Sequence, residues 1–200
     1  MKKNFGWIVA AAVLICLIAG ASVLYNSLEE DYQMDALATQ APPVEAEGTA
    51  PEQTGEAEET MIAPDFTVID AEGNEASLSS FFGKPIVLNF WASWCGPCRS
   101  EMPDFDETYQ ELGDEIQFLM VNMTDGSRET LDKAKNFVAD SGFTFPVFYD
   151  VNYDAAITYG VTSLPTTYFI ASDGTLVAYG AGAIDADTLR RGIDMIYSGS

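Results

Sequence analysis

From Met61 onward the chain alternates short apolar runs with longer polar stretches of helical period. Phe66–Ile69 and Ala76–Leu78 flank Asp70-Ala71-Glu72-Gly73-Asn74, which predicts a β-hairpin. Pro85–Trp91 (PIVLNFW) is a continuous apolar run of strand length, the pattern of a strand buried on both faces. Over Gly96–Leu112 the apolar residues Met102, Phe105, Tyr109 and Leu112 fall near one helical face. Ile116–Val121 reads as a strand. Ser127–Ser141 reads as a helix with Leu131, Ala134, Phe137 and Val138 on one stripe. A short strand at Phe145–Phe148 and a short helix at Tyr153–Tyr159 follow. The pattern closes with strands Thr166–Ala171 and Thr175–Tyr179 and a helix Asp185–Tyr197, whose Leu189, Ile193 and Ile196 point inward. Strands alternating with helices, then a terminal hairpin and helix, predict an α/β sheet covered on both faces.

The first 60 residues follow a different pattern. Lys2 and Lys3 precede an uncharged run, Phe5–Tyr25, and Glu29, Glu30 and Asp31 follow it. As a helix this run spans roughly 31 Å, the thickness of a bilayer core. The flanking lysines stay on the cytoplasmic side, which puts the rest of the chain outside the cytoplasm. Residues 1–25 are therefore expected to be a single-pass anchor of the signal-anchor type. Ala19-Gly20-Ala21 offers the rival reading, a cleaved signal peptide. Against it, the apolar run continues through Val23, Leu24 and Tyr25. Cys16 lies within the run, preceded by Ile15 rather than by the small residue a lipid-attachment site requires. Residues 26–61 are expected to be a flexible acidic linker, too poor in large apolar side chains to offset the entropy of ordering. Residues 62–200 form the folded domain.

Charge narrows the function. The net charge is −22, which opposes nucleic-acid phosphates and excludes that class of partner. Ten of the 31 acids lie in Asn26–Thr60, yet the stretch from Met61 onward, with 21 acids and seven bases, is still acidic. Such acidity serves solubility or a docking face for basic partners.

The chemistry lies in Cys95-Gly96-Pro97-Cys98. A Cys-x-x-Cys pair is half a zinc site or a redox dithiol. A structural zinc site takes four Cys or His ligands. The chain has three cysteines and no histidine, one of the cysteines in the apolar N-terminal run, so no metal site is expected. The pair follows a buried strand and opens a helix. Cys95 is thereby placed where unpaired N–H groups and the helix dipole favour a thiolate, which supplies in part what a histidine supplies elsewhere. Cys95 is expected to be the exposed attacker and Cys98 the buried resolving thiol. Pro97 fits the first helical turn, and Pro103 falls inside the helix. Glu101, three residues after Cys98, lies close enough to exchange a proton with it, or else is a solvated helix charge. Asp150-Val151-Asn152-Tyr153-Asp154 resembles the start of a calcium loop but has Ala155 and Val161 where glycine and glutamate are needed.

Three segments carry a family resemblance: Ala63–Asp70 (APDFTVID), Leu78–Pro103 (LSSFFGKPIVLNFWASWCGPCRSEMP) and Val161–Gly174 (VTSLPTTYFIASDG). Together they resemble the TlpA/ResA-type, membrane-anchored thioredoxin-like thiol–disulfide oxidoreductases. The resemblance implies a thioredoxin fold: a central mixed β-sheet flanked by helices, with an N-terminal β-hairpin and a strand–helix insertion at Ile116–Ser141. It implies a cis Pro165 facing the dithiol, with Leu164 before it either presenting backbone groups to an incoming peptide or serving as an ordinary core residue. Trp94, Gly96 and Pro97 complete the implied substrate surface. The redox-active Cys95–Cys98 pair is the only cofactor implied. Substrates would be disulfide-containing proteins, apocytochrome c in cytochrome c maturation among them, with a membrane electron-donor protein restoring the dithiol. Two rivals stand beside this reductase: a DsbA-like oxidant or isomerase, and a noncatalytic peptide-docking module. Thioredoxin has a buried acid where this chain has Asn89, and the TlpA/ResA group resembles this chain in pairing that Asn with an acid at Glu101. The APDF segment also occurs in peroxiredoxin-like chains. Those place a Thr and a Pro before their reactive Cys, which Ser93 and Trp94 do not supply.

Overall fold

The computed structural model describes Leu37 and residues 61–198. The expected anchor and nearly all of the expected linker lie outside the described residues. Among the described residues no helix is long and apolar enough to cross a membrane.

Seven strands form one mixed sheet: β1 Thr67–Ile69, β2 Glu75–Ser77, β3 Ile86–Trp91, β4 Gln117–Asn122, β5 Val147–Tyr149, β6 Thr166–Ile170 and β7 Leu176–Ala181. Their order is β2-β1-β5-β4-β3-β6-β7. The β3–β4 and β4–β5 pairs are parallel, whereas β6 runs antiparallel to both β3 and β7. The expected hairpin is present as β1–β2, with Asp70 accepting from the amides of Glu72 and Asn74 in its turn. The helices are α1 Gly96–Leu112, α2 Leu131–Ser141, α3 Asp154–Thr158 and α4 Ala186–Ile196, with a 3₁₀ turn at Leu78–Phe81.

The period-2 alternation of β3 divides the core. Val87 and Trp91 join Met102 and Phe105 of α1, Ala134 of α2, and Leu189 and Ile193 of α4 in one cluster. Ile86, Leu88 and Phe90 face the opposite way, against Leu78, Ala155 and Tyr159. α4 lies flush on the sheet: a Cβ added at Gly192 would stand 2.2 Å from the Phe169 ring. Only a residue without a side chain allows that approach.

Most element boundaries fall within one or two residues of the sequence pattern, and at three of those that differ a side chain captures backbone amides. α2 starts at Leu131 rather than Ser127, because Asp125 Oδ1 accepts from the amides of Ser127 and Glu129 and holds a turn. The cap is Thr130, with extended backbone, accepting from Lys133 N. β5 begins at Val147 rather than Phe145, because the amides of Thr144 and Phe145 donate to Asp106 Oδ1. β7 begins after Thr175, whose amide donates to Asp173 Oδ1.

Candidate active site

β3 delivers the chain to the dithiol and α1 carries it away. Cys95 is the N-cap of α1, with φ −79° and ψ 111°, and Pro97 sits in the first turn. Cys95 and Cys98 are joined as a disulfide, and Cys95 Sγ accepts from the Cys98 amide at 3.2 Å. Cys98 has no exposed surface and Cys95 only 4%, so the expectation of an openly exposed attacker is corrected. Cys95 lies at the floor of a groove of about 540 Å³. Trp94, Gly96 and Pro97 form one rim, Val161, Thr162, Ser163 and Leu164 another, and Met123, Asp125, Arg128 and Tyr153 complete it.

The Leu164–Pro165 peptide is cis. Leu164 lines the groove, whereas Pro165 is buried behind it and is not among the lining residues. The Pro165 carbonyl is taken by the Gly182 amide. Of the expected surface, Trp94, Gly96, Pro97 and Leu164 thus come together around Cys95.

Glu101 is not a solvated helix charge; it is 2% exposed. Oε1 accepts from Asn89 Nδ2 at 2.9 Å and Oε2 from the Ile184 amide at 2.9 Å. Asn89 and Thr167 are paired across β3 and β6 and so point to one face, where Asn89 Nδ2 also donates to Thr167 Oγ1 at 3.0 Å. Burial pushes the Glu101 carboxyl up to about 7, against the lowering pull of the Ile184 and Asn89 bonds; the Asp104 charge adds to the rise. A carboxyl poised there takes up or releases a proton near neutral pH. Asn89 Oδ1 has no partner among the described residues. Turning that amide over would set an acceptor against Glu101 and against the Thr167 hydroxyl. The Asn89 side chain can therefore serve either protonation state of Glu101.

Sequence reasoning missed Glu129, which is fully buried. Its carboxylate accepts from Ser93 N at 2.7 Å, Ser93 Oγ at 2.6 Å and Asn122 Nδ2 at 2.7 Å. It ties the turn before Trp94 to the end of β4. An acid in a polar loop gives no sequence signal of burial. Arg128, beside it, was also missed: its guanidinium lies over the Trp94 ring, 3.5 Å from the centroid. Among the described residues no cluster of His, Cys, Asp or Glu has the arrangement of a metal site.

A mixed sheet flanked by helices, with a Cys-x-x-Cys disulfide at the strand-to-helix turn, defines a thioredoxin-like protein. The chain belongs to the AhpC/TSA family, which it matches over residues 60–179. Among curated relatives it is 42% identical over 118 residues to the thiol-disulfide oxidoreductase ResA of Bacillus thuringiensis subsp. konkukian (strain 97-27). That match covers 58% of this chain and 65% of the relative, so the chain spans just under two thirds of the length of that protein. It is 34% identical over 142 residues to the thioredoxin-like protein YneN of Bacillus subtilis (strain 168), covering 69% of this chain and 80% of YneN. Among solved structures, a DsbF homologue from Corynebacterium diphtheriae superposes with a TM-score of 0.62 at 28% identity, over 78% of this chain and 99% of the other.

Proposed function

We propose that this chain is an extracytoplasmic thiol–disulfide oxidoreductase that reduces protein disulfides. The observation that carries the reading is the position of the disulfide: Cys95 on the floor of an open groove, Cys98 sealed behind it on the same helix turn as a buried glutamate. In the reduced protein the Cys95 thiolate attacks one sulfur of a substrate disulfide, and the other leaves as a thiolate. The mixed disulfide that results is attacked at Cys95 Sγ by Cys98 as it loses its proton. The second substrate sulfur departs as a thiolate and the Cys95–Cys98 bond forms. Two electrons have passed to the substrate. Glu101 takes the Cys98 proton on oxidation and returns it on reduction. Trp94, Gly96, Pro97 and Leu164 hold the substrate strand, with Pro165 buried next to Leu164.

The direction follows from the residues around the sulfurs. Gly96 and Pro97 bring no charge or side-chain donor between the cysteines, Glu101 and Asp104 disfavour a thiolate, and Arg99 is exposed and lies over Phe137. The helix N-terminus is then the main stabiliser of the thiolate, so the potential lies nearer the roughly −270 mV of thioredoxin than the roughly −120 mV of DsbA. Such a reductant, in an oxidising compartment, needs a dithiol donor, and a membrane electron-carrying protein fits the expected single-pass anchor of residues 1–25. Apocytochrome c cysteines are the substrates the family resemblance suggests. Equilibration of the full chain, in detergent micelles, against glutathione and dithiothreitol buffers tests the direction. A midpoint above about −180 mV would reverse the assignment to oxidant or isomerase. A dithiol that reduces no peptide disulfide would favour the noncatalytic docking module.

A further inference from the structure

The groove beside Cys95 contains one cation in an otherwise acidic domain. Arg128 stands on its rim, and Trp94, the residue before Cys95, supports it from below: the guanidinium carbon is 3.5 Å from the indole centroid. Trp94 is itself 41% exposed, so the pair forms part of the groove surface rather than of the core. Stacking holds the plane of the guanidinium while leaving the N–H groups along its edge free. Among the described residues no hydrogen bond or ion pair engages those groups, and the ion pair formed there, Arg190–Glu111, does not involve Arg128. The nearby lysine is already engaged, Lys133 Nζ donating to the carbonyls of Ser127 and Arg128. The competing charge on the rim is Asp125. Its Oδ1 accepts from the backbone amides of Ser127 and Glu129, and it makes no ion pair with Arg128.

We infer that Arg128 is a specificity-determining residue, pairing with a carboxylate side chain of the substrate within a few residues of the cysteine that Cys95 attacks. This rests on the oxidoreductase reading above. A guanidinium fixed on one face presents a fork that matches a carboxylate with two parallel N–H···O bonds. Trp94 is adjacent to Cys95 in sequence and Trp94, Cys95 and Arg128 line the same groove, so the fork lies on the surface a substrate must cross to reach the sulfur. Leu164, in the same groove, sets the course of the incoming strand. The overall acidity of the domain repels an acidic partner at a distance, so the discrimination belongs to contact at this rim and is short-ranged.

The test uses the reduced full chain in detergent micelles and short peptides, each with one intramolecular disulfide. Peptides carry Glu, Gln or Lys at each of the two positions on either side of one cysteine. At one or more of these positions the Glu peptide is expected to show a kcat/KM about fivefold above the Gln peptide, with Lys lowest. Arg128→Gln should bring the Glu-to-Gln ratio to about one, and Arg128→Lys should restore part of it. The ratio separates recognition from mere support of Trp94, which would slow all peptides alike. A wild-type ratio near one at every position overturns the inference, as does a preference that Arg128→Gln leaves intact. Wild-type protein that reduces none of the peptides overturns the oxidoreductase reading, and this inference with it.

Discussion

The two sulfurs of the dithiol are three residues apart and sit in opposite surroundings. Behind Cys98 the molecule is dry: Asn89, Glu101 and Thr167 are buried, Asn89 Nδ2 donates to both of the others, and Glu101 closes the set on the Ile184 amide. In front of Cys95 it is wet: Trp94, Gly96, Pro97 and Arg128 are exposed around a groove. The dry side can shift a proton affinity, because desolvation is what drives the Glu101 carboxyl up. The wet side presents the Arg128 guanidinium, which meets no acceptor among the described residues. On the proposed reading, one turn of α1 separates proton handling from recognition, so each can be altered without the other.

Removing the sulfurs breaks the comparison most severely. Cys95→Ser and Cys98→Ser should each lower disulfide reduction by about a thousandfold or more. They should fail differently. Cys98→Ser stops at a covalent mixed disulfide visible by non-reducing mass spectrometry, whereas Cys95→Ser traps nothing. The opposite pattern would exchange the roles of the two sides.

Glu101→Gln should slow turnover by about tenfold to a hundredfold and remove the inflection near pH 7 from the pH–rate profile. The variant also bears on stability. With its pKa raised to about 7, folded Glu101 keeps a proton that the unfolded chain has already released. Stability is therefore undiminished below the ordinary glutamate range and falls as pH rises towards 7. Denaturant titrations of Glu101→Gln from pH 4 to 8 should lack that fall. A wild-type protein whose stability does not drop across this window would remove the physical basis of the dry side.

Asn89→Asp places a second carboxyl against Glu101 where an amide now donates at 2.9 Å. Two like charges there cannot both ionise cheaply, so the inflection should move up by about one pH unit or more. A downward shift would mean that the new acid stays neutral and donates to Glu101.

Glu129→Gln tests whether the wet side is separate. It puts an amide among three donors, Ser93 N, Ser93 Oγ and Asn122 Nδ2, and should cost about 1–3 kcal/mol of stability by denaturant unfolding. The inflection near pH 7 should stay where it is. A moved inflection would show that the turn before Trp94 and the pocket behind Cys98 act as one unit.

Much of the fold was legible in sequence because apolar periodicity reports burial directly. α1 falls at Gly96–Leu112, as the pattern predicts, since Cys95 caps it and Pro97 opens it. The errors fall where a polar side chain overrides the pattern: Asp125 delays α2, and Asp106 delays β5. For Asp106 the partners Thr144 and Phe145 lie 38 and 39 residues away and cannot be read from local spacing; Asp125 bonds only within its own turn, to the amides of Ser127 and Glu129, where apolar periodicity carries no signal of a captured amide. The site follows the same rule. The dithiol and Glu101 were legible from their short spacing on one helix. Glu129 and Arg128 were not, because the contacts that make them matter cross from one loop to another.

Cys95 has a second role as the cap of α1, its sulfur receiving the Cys98 amide. In the disulfide that sulfur is neutral. Once reduced and ionised, it faces the same N–H as a full negative charge at the positive end of the helix dipole. The Cys98 amide proton is therefore a built-in electrometer. In a protein labelled with nitrogen-15 at cysteine, its resonance should move downfield and its exchange with solvent slow when two electrons arrive, so the charge on the attacking sulfur can be followed by NMR without touching the thiol.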